Sequence, residues 1–249
     1  MKVLTMKVPT IKEIRERSAA KRYGYEYVLD SLANYVVKAA IVLRIRPTEL
    51  TMVWVIAQFF TPFLFLFGDY FSFVLGIVLF QAMFIVDLSD GKLYRFIVAK
   101  KPRLKPLFPK YIDRLGHFIN NSFLFVLLGI GTSFRFGEMY VVIGIIAAFL
   151  YLLNKATSVN PAWYKSAEER ETVAAVMVKT APRSGASAMK QFMFDVVRIE
   201  HLGNILFFGI LLDIPHYTLW FYAFLHAIEF VRKLYAQGKL LLQEDAVRK

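Results

Sequence analysis

Long apolar runs separated by short polar stretches dominate the chain from position 48 onward. A helix that crosses a bilayer needs about 20 mainly apolar residues, and six segments approach that length. The predicted spans are Thr48–Phe67, Phe71–Asp90, Ile112–Phe134, Met139–Leu153, Phe192–Leu212 and Thr218–Leu234. The pattern therefore predicts an all-α polytopic membrane protein with six transmembrane helices.

The segment before the first span has a different pattern. From Tyr25 to Ile45, apolar residues alternate with charged residues at helical spacing, which is typical of an amphipathic helix lying in the membrane interface. A further short helix is expected around Ala167–Val178, in the long loop after the fourth span. We therefore divide the chain into a cytosolic N-terminus with its juxtamembrane amphipathic helix (1–47), a six-helix transmembrane domain (48–239) and a cytosolic tail (240–249).

The distribution of basic residues predicts the orientation. Lys and Arg are concentrated in the N-terminal region, in Lys100–Lys110, in Lys155–Lys190 and in the tail, whereas the alternate loops contain only Arg135 of the 31 basic residues. Cytoplasmic loops are enriched in Lys and Arg, so both termini and the loop between the second and third spans are expected in the cytoplasm.

Composition narrows the class of protein and its partners. A hydrophobic content of 57% and a mean hydropathy of +0.47 exceed what one soluble domain can cover, and the absence of cysteine excludes disulfides and thiolate metal sites. The Lys and Arg residues that give the net charge of +12 lie between apolar runs and do not form a basic helix interleaved with stacking aromatic residues. We therefore expect an anionic lipid surface or a phosphorylated substrate as partner, and no nucleic acid.

Four polar residues mark the point where the second predicted span ends and the third begins. Asp87 and Asp90 lie three residues apart and share a helix face, and Asp113 and His117 lie four apart on the antiparallel helix that follows. Carboxylates gathered at the edge of hydrocarbon are costly unless a cation lies among them, and hard divalent ions suit oxygen ligands. Two such ions would clamp a pyrophosphate and stabilise charge on the attacking and leaving oxygens.

Two neighbouring residues favour a phosphate-containing ligand. Arg95 lies two turns beyond Asp87 on roughly the same face, and its planar guanidinium can bind a phosphate. Gly91 has no side chain where a nucleotide needs a close approach to the backbone. The alternative is that the acidic residues are ordinary solvated charges at a helix end, and we favour the functional interpretation because Gly91 and Arg95 adjoin them.

The arrangement resembles the sequence motif of the CDP-alcohol phosphatidyltransferase family, D-x-x-D-G-x-x-A-R followed by G-x-x-x-D-x-x-x-D. The motif residues present in this chain are Asp87, Asp90, Gly91, Arg95 and Asp113. Three positions differ: Tyr94, Pro109 and His117 stand where the family has Ala, Gly and Asp. The spacer from Arg95 to Pro109 is also longer than the family's usual one of about eight residues. The resemblance extends to the six-span plan, to the amphipathic N-terminal helix and to Pro47-Thr48-Glu49-Leu50-Thr51, which is similar to the Pro-x-x-x-Thr start of the family's first span.

The resemblance implies a ligand set and a reaction. It implies two Mg²⁺ or Mn²⁺ ions and a homodimer. It implies metal ligation by Asp87, Asp90, Asp113 and His117, and CDP binding by Asp87, Gly91, Arg95 and Thr51. In the family an acceptor hydroxyl attacks the β-phosphorus and releases CMP, with the fourth Asp as the proposed general base. His117 is therefore a candidate base or metal ligand, and we place Asp113 beside it in the catalytic set. Thr51 is alternatively only an interfacial hydroxyl.

The fifth predicted span carries charged residues at intervals of three, namely Asp195, Arg198 and His201. Charges inside a span normally face a bundle interior or a watery cavity. Two interpretations stay open. Asp195 and Arg198 form an internal salt bridge that holds helices together, or Arg198 and His201 line an acceptor pocket for an anionic alcohol.

The sequence thus predicts an enzyme of phospholipid biosynthesis in the cell membrane, with its active site at the cytoplasmic face. The expected donor is a CDP-linked lipid and the expected acceptor a small alcohol or phosphorylated polyol. A second enzymatic possibility is that CDP carries a soluble alcohol and a lipid accepts it. The alternative of another class is a non-catalytic homologue that acts as a lipid-binding scaffold or transporter.

Overall fold

The computed structural model of the protein describes residues 8–18, 25–98, 107–157 and 202–248. The helices in chain order are α1 (Ile11–Ser18), α2 (Tyr25–Val42), α3 (Pro47–Phe60), a 3₁₀ segment (Thr61–Phe67), α4 (Tyr70–Val98), α5 (Leu107–Phe136), α6 (Met139–Thr157), α7 (Leu202–Leu211) and α8 (Pro215–Arg248). These residues contain no β-strand, which confirms the all-α prediction for the part of the chain that they cover.

Within those ranges, four helical segments are long and apolar enough to cross a membrane: Pro47–Phe67, Tyr70–Ile97, Tyr111–Phe136 and Met139–Thr157. They correspond to the first four predicted spans and are compatible with an integral membrane protein. The predicted sixth span lies inside α8, which is not one of the four. The predicted fifth span is described only from residue 202 onward, where α7 forms its second half, and the predicted helix Ala167–Val178 lies wholly outside the described residues. The count of six spans therefore stays a prediction.

The first span changes from an α-helix to a 3₁₀ helix at Thr61. Pro62 has no backbone N–H to donate, and its ring disfavours a continued α-helix, so the chain tightens there. The 3₁₀ segment ends at Gly68, whose φ of +70° is a conformation that favours glycine. The tighter segment carries Phe65 into the core, where its ring packs edge-on against Phe73.

α5 and α6 approach each other closely at two glycines. A Cβ atom added to Gly129 would lie 2.6 Å from the Tyr140 carbonyl oxygen, and one added to Gly144 would lie 2.6 Å from the Phe125 carbonyl oxygen. Small residues at such a crossing let helix backbones touch, which is a common packing device inside membranes. The crossing fixes α5 in the middle of its length.

The N-terminal helices pack against α4. Lys92 on α4 is 1% exposed, and its Nζ lies 2.7 Å from the Asp30 carboxylate and 2.7 Å from the Asn34 side-chain oxygen, both on α2. α2 covers most of the predicted juxtamembrane helix, while its location in the membrane interface stays a prediction. α1 is a helix that the sequence analysis did not predict; its Ile14 is fully buried.

Arg135 and Asp213 form an ion pair at the C-terminal end of α5, away from the N-terminal helices, and we call it the Arg135–Asp213 clasp. The Arg135 guanidinium donates two hydrogen bonds of 2.6 Å to the Asp213 carboxylate. These bonds hold the pKa of Asp213 below its usual value. The His216 ring stacks on Phe136 beside the clasp, with ring centroids 4.1 Å apart. The clasp thus connects the end of α5 to the turn between α7 and α8.

Candidate metal centre

The candidate site is formed by three helices, and Thr51 is the residue of the third helix that the sequence resemblance had already placed in it. α3 packs against α4 on one side and against α5 on the other. The buried face of α3 contains Leu50, Thr51, Trp54 and Gln58, in which Trp54 lies three residues after Thr51 and four before Gln58, as one helix face requires. α3 therefore forms the wall behind the place where the motif residues of α4 and α5 meet.

Asp87 of α4 meets Asp113 and His117 of α5 at this place. The His117 Nε2 atom lies 3.6 Å from an Asp87 carboxylate oxygen and 3.5 Å from an Asp113 carboxylate oxygen. One ligand atom from each residue can be chosen so that all lie within 4.8 Å of one another. We call this group the Asp–Asp–His trio. The predicted convergence of Asp87, Asp113 and His117 is therefore present in the structure.

Asp90 is arranged differently from the trio. Its Oδ2 atom accepts a hydrogen bond of 2.7 Å from the Thr51 hydroxyl and one of 3.0 Å from the Trp54 indole N–H. Two donors from α3 thus fix one oxygen of the carboxylate, and the other oxygen is not restrained by them. Asp90 is not a member of the metal-ligating group found among the described residues, and its predicted role as a metal ligand stays a prediction. The predicted role of Thr51 in CDP binding also stays a prediction.

Trp54 is a site residue that the sequence analysis missed. Its ring is fully buried, and its centroid lies 5.0 Å from that of the His117 imidazole. Gly116 makes room for it, because a Cβ atom there would lie 3.2 Å from Trp54 Cη2 and 2.7 Å from Val55 Cγ2. Trp54 therefore contacts the motif residues of both α4 and α5. Its spacing of three residues from Thr51 is the signal that could have identified it.

Gly91 and Arg95 lie on the same part of α4. Around a Cβ atom added to Gly91, the one side-chain neighbour among the described residues would be Arg95, with Nη1 at 3.4 Å. The space that the missing side chain leaves is therefore bordered by a guanidinium. Arg95 also donates a hydrogen bond of 3.3 Å from Nε to the Ser18 carbonyl oxygen at the end of α1. Its predicted contact with CDP stays a prediction.

α6 contacts the part of α5 that carries the trio residue His117. The Tyr151 hydroxyl donates to the His117 carbonyl oxygen at 3.4 Å and accepts a hydrogen bond of 2.9 Å from the Asn121 side-chain amide. Tyr151 is 1% exposed. This chain of contacts fixes the turn of α5 that carries His117. Arg198 and His201, the predicted acceptor residues, lie outside the described residues.

The donor set of the trio fits a divalent metal ion. Two carboxylates supply hard oxygen donors and negative charge, and the imidazole supplies a nitrogen donor. The side chains are 13% (Asp87), 37% (Asp113) and 32% (His117) exposed, so the centre lies at the surface of the bundle and can be reached. A cation there would bind beside the open position at Gly91, where an anionic ligand could also contact Arg95.

No protein-family model matches the chain, and no curated protein matches it.

Proposed function

We propose that this protein is a membrane-embedded transferase that moves a phosphoalcohol moiety from a CDP-linked lipid donor to an alcohol acceptor and releases CMP. The observation that carries the proposal is the convergence of Asp87, Asp113 and His117 from two helices. The open position at Gly91 beside Arg95 supports it, because a nucleotide pyrophosphate needs both a close approach and a cationic partner.

The residues have separate tasks in this reaction. Asp87, Asp113 and His117 would hold a Mg²⁺ or Mn²⁺ ion, with a second ion near Asp90, and bound divalent ions neutralise the charge that develops on a pyrophosphate. Thr51 and Trp54 orient Asp90 by hydrogen bonds. Arg95 binds a phosphate oxygen, and Gly91 lets the nucleotide contact the helix. His117 has two possible tasks, as a metal ligand or as the base that accepts the proton of the acceptor hydroxyl.

The membrane setting of the proposal has six spans, both termini in the cytoplasm and the site at the cytoplasmic face of the cell membrane. The four long apolar helices support it. α2 supports an interfacial position, because Val28, Leu32 and Tyr35 are 53%, 46% and 62% exposed on a helix whose other side packs on α4. A homodimer and a role in phospholipid biosynthesis complete the proposal.

The test uses the full chain in lipid nanodiscs with CDP-diacylglycerol and a panel of small and phosphorylated alcohols. We expect CMP release and a new lipid with at least one alcohol, only when a divalent ion is present. Asp213→Asn, in the clasp at the other end of the bundle, is the matched control for loss of an aspartate and should behave as the parent. If no alcohol gives CMP and CDP does not bind in the presence of Mg²⁺ or Mn²⁺, the protein is a non-catalytic scaffold or transporter instead.

A further inference from the structure

The choice of metal at the trio depends on its one nitrogen donor. Mg²⁺ prefers oxygen ligands in a near-ideal octahedron and keeps several waters, so it gains little from an imidazole. First-row transition ions such as Co²⁺ and Zn²⁺ bind imidazole well and bind most sites of mixed donors more tightly than Mn²⁺ does. A centre in which His117 is one of three protein ligands is therefore expected to prefer transition ions over Mg²⁺ more strongly than a centre made only of carboxylates does.

The distances agree with ligation by His117. An ion with bonds of about 2.0–2.2 Å separates neighbouring ligand atoms by roughly 3.0–3.5 Å. The His117 Nε2 atom lies 3.5 Å and 3.6 Å from the two carboxylate oxygens, the first at the upper limit of that range and the second just above it. These separations exceed the usual length of an N–H···O hydrogen bond, which is about 2.7–3.2 Å. The imidazole nitrogen thus faces both carboxylates at a spacing suited to a shared ion.

The surroundings of the imidazole limit its movement. Trp54 packs 5.0 Å away, centroid to centroid, and is itself held by its hydrogen bond to Asp90. The carbonyl oxygen of His117 accepts the hydrogen bond from Tyr151. A nitrogen donor on a fixed ring favours an ion that bonds to nitrogen, because the ring cannot turn away at low cost to leave an all-oxygen shell.

We propose that the trio binds one divalent transition ion of the Co²⁺ and Zn²⁺ class in preference to Mg²⁺, with His117 Nε2 as a direct ligand. This inference rests on the proposed function, since it concerns the metal of the same site, and it selects the ligand role of His117 over the role of base. The charge balances, because two carboxylates and a neutral imidazole offset one divalent cation.

Trp54 provides a local measurement of metal binding that does not use activity. The chain has two other tryptophans, Trp163 and Trp220, and Trp163→Phe with Trp220→Phe leaves Trp54 as the sole tryptophan. Co²⁺ quenches tryptophan fluorescence at short range, whereas Mg²⁺ does not. A Co²⁺ titration of the full-length protein in nanodiscs therefore gives the Co²⁺ affinity near Trp54, and recovery of fluorescence on adding Mg²⁺ gives the Mg²⁺ affinity there. The part of the binding that depends on His117 belongs to the trio rather than to a second ion near Asp90.

We expect Co²⁺ to bind at least ~100-fold more tightly than Mg²⁺ in this background. His117→Asp, which makes the centre all-oxygen, should reduce the ratio of Co²⁺ affinity to Mg²⁺ affinity by about tenfold or more. His117→Asn removes the imidazole without adding charge and should weaken Co²⁺ more than Mg²⁺. His216→Asn, at the opposite end of the bundle, is the matched control for loss of a histidine and should leave both affinities unchanged.

The outcomes separate this inference from the proposed function. The inference is overturned, even if CMP is released, when the parent binds Co²⁺ and Mg²⁺ equally. It is also overturned when the ratio of Co²⁺ affinity to Mg²⁺ affinity is the same in His117→Asp and His117→Asn as in the parent. Selective Co²⁺ binding that depends on His117, in a protein that releases no CMP from any donor, sustains the inference and overturns the proposed function.

Discussion

The two ends of α5 both gather charged groups, and they do so with different partners. At one end Arg135 and Asp213 form a bidentate ion pair in which each group neutralises the other, at bond lengths of 2.6 Å. At the other end Asp87 and Asp113 converge on His117, and the three atoms that meet are all of kinds that can bind a metal ion. The first arrangement is complete within the chain, while the second has the geometry of an ion's ligand shell. Divalent ions should therefore affect one end and not the other.

The largest effect should follow from removing a carboxylate of the trio. Asp87→Asn or Asp113→Asn leaves a neutral amide in a three-ligand centre, so metal-dependent CMP release should fall by ~100-fold or more at limiting metal. The measurement is the initial rate across a metal titration. Asp213→Asn should stay within about twofold of the parent. Near-normal turnover of Asp87→Asn at limiting metal would contradict the assignment of that residue.

His117→Ala should reduce turnover by about 10–100-fold at limiting metal, because one of three protein ligands is lost. Excess Co²⁺ should restore most of the rate, since a weakened centre still fills at high concentration. The rate is measured against metal concentration at several pH values. If excess metal restores nothing and the parent loses activity on the acid side, where the imidazole becomes protonated, His117 is the base instead.

Trp54→Phe should have a smaller effect, because it keeps an aromatic ring near His117 and removes the N–H that donates to Asp90. Loss of one hydrogen bond to a carboxylate predicts a roughly tenfold fall in kcat. The measurement separates kcat from KM for the donor. Trp220→Phe is the matched control, since Trp220 is 49% exposed, and it should change neither constant. An unchanged kcat in Trp54→Phe would show that Thr51 alone orients Asp90.

The smallest effect belongs to the clasp and concerns stability. Because the hydrogen bonds from Arg135 lower the pKa of folded Asp213, the clasp stabilises the protein at pH above the ordinary aspartate value, and this stability is lost as pH falls through the lowered pKa. Asp213→Asn should thus lower Tm by roughly 1–3 °C near pH 7. The difference from the parent should shrink below about pH 4. A constant difference across that range would contradict the ionic contribution.

The sequence predicted the parts of the site that depend on spacing along one helix. Asp113 and His117 share a face because they lie four residues apart, and Asp87 reaches them because α4 and α5 run antiparallel. The contact between Trp54 and Asp90 depends on how α3 crosses α4, which the spacing within one helix does not contain. Arg95 was predicted to face the nucleotide, and its bond to Ser18 depends on α1.

The positions of the first four spans were predictable from hydrophobicity, whereas the ends of the helices and the polar helix α1 were not. The apolar runs located the first four spans, because a bilayer needs a minimum apolar length. Their ends were less accurate, since α4 continues to Val98, beyond the predicted end of the span at Asp90. α1 was missed because an eight-residue segment with five charged side chains has no apolar run, although Ile14 and Ser18 are fully buried in the structure.

The buried Lys92 has a consequence for biosynthesis. An ammonium group on a helix that enters a membrane is costly until an anionic group reaches it. Its partner Asp30 lies on α2, which is synthesised before α4, so the neutralising carboxylate already exists when Lys92 leaves the ribosome. The order of helices along the chain therefore matches an order of assembly in which α2 forms first and α4 then packs against it. A chain that starts after α2 would have to insert Lys92 without this carboxylate.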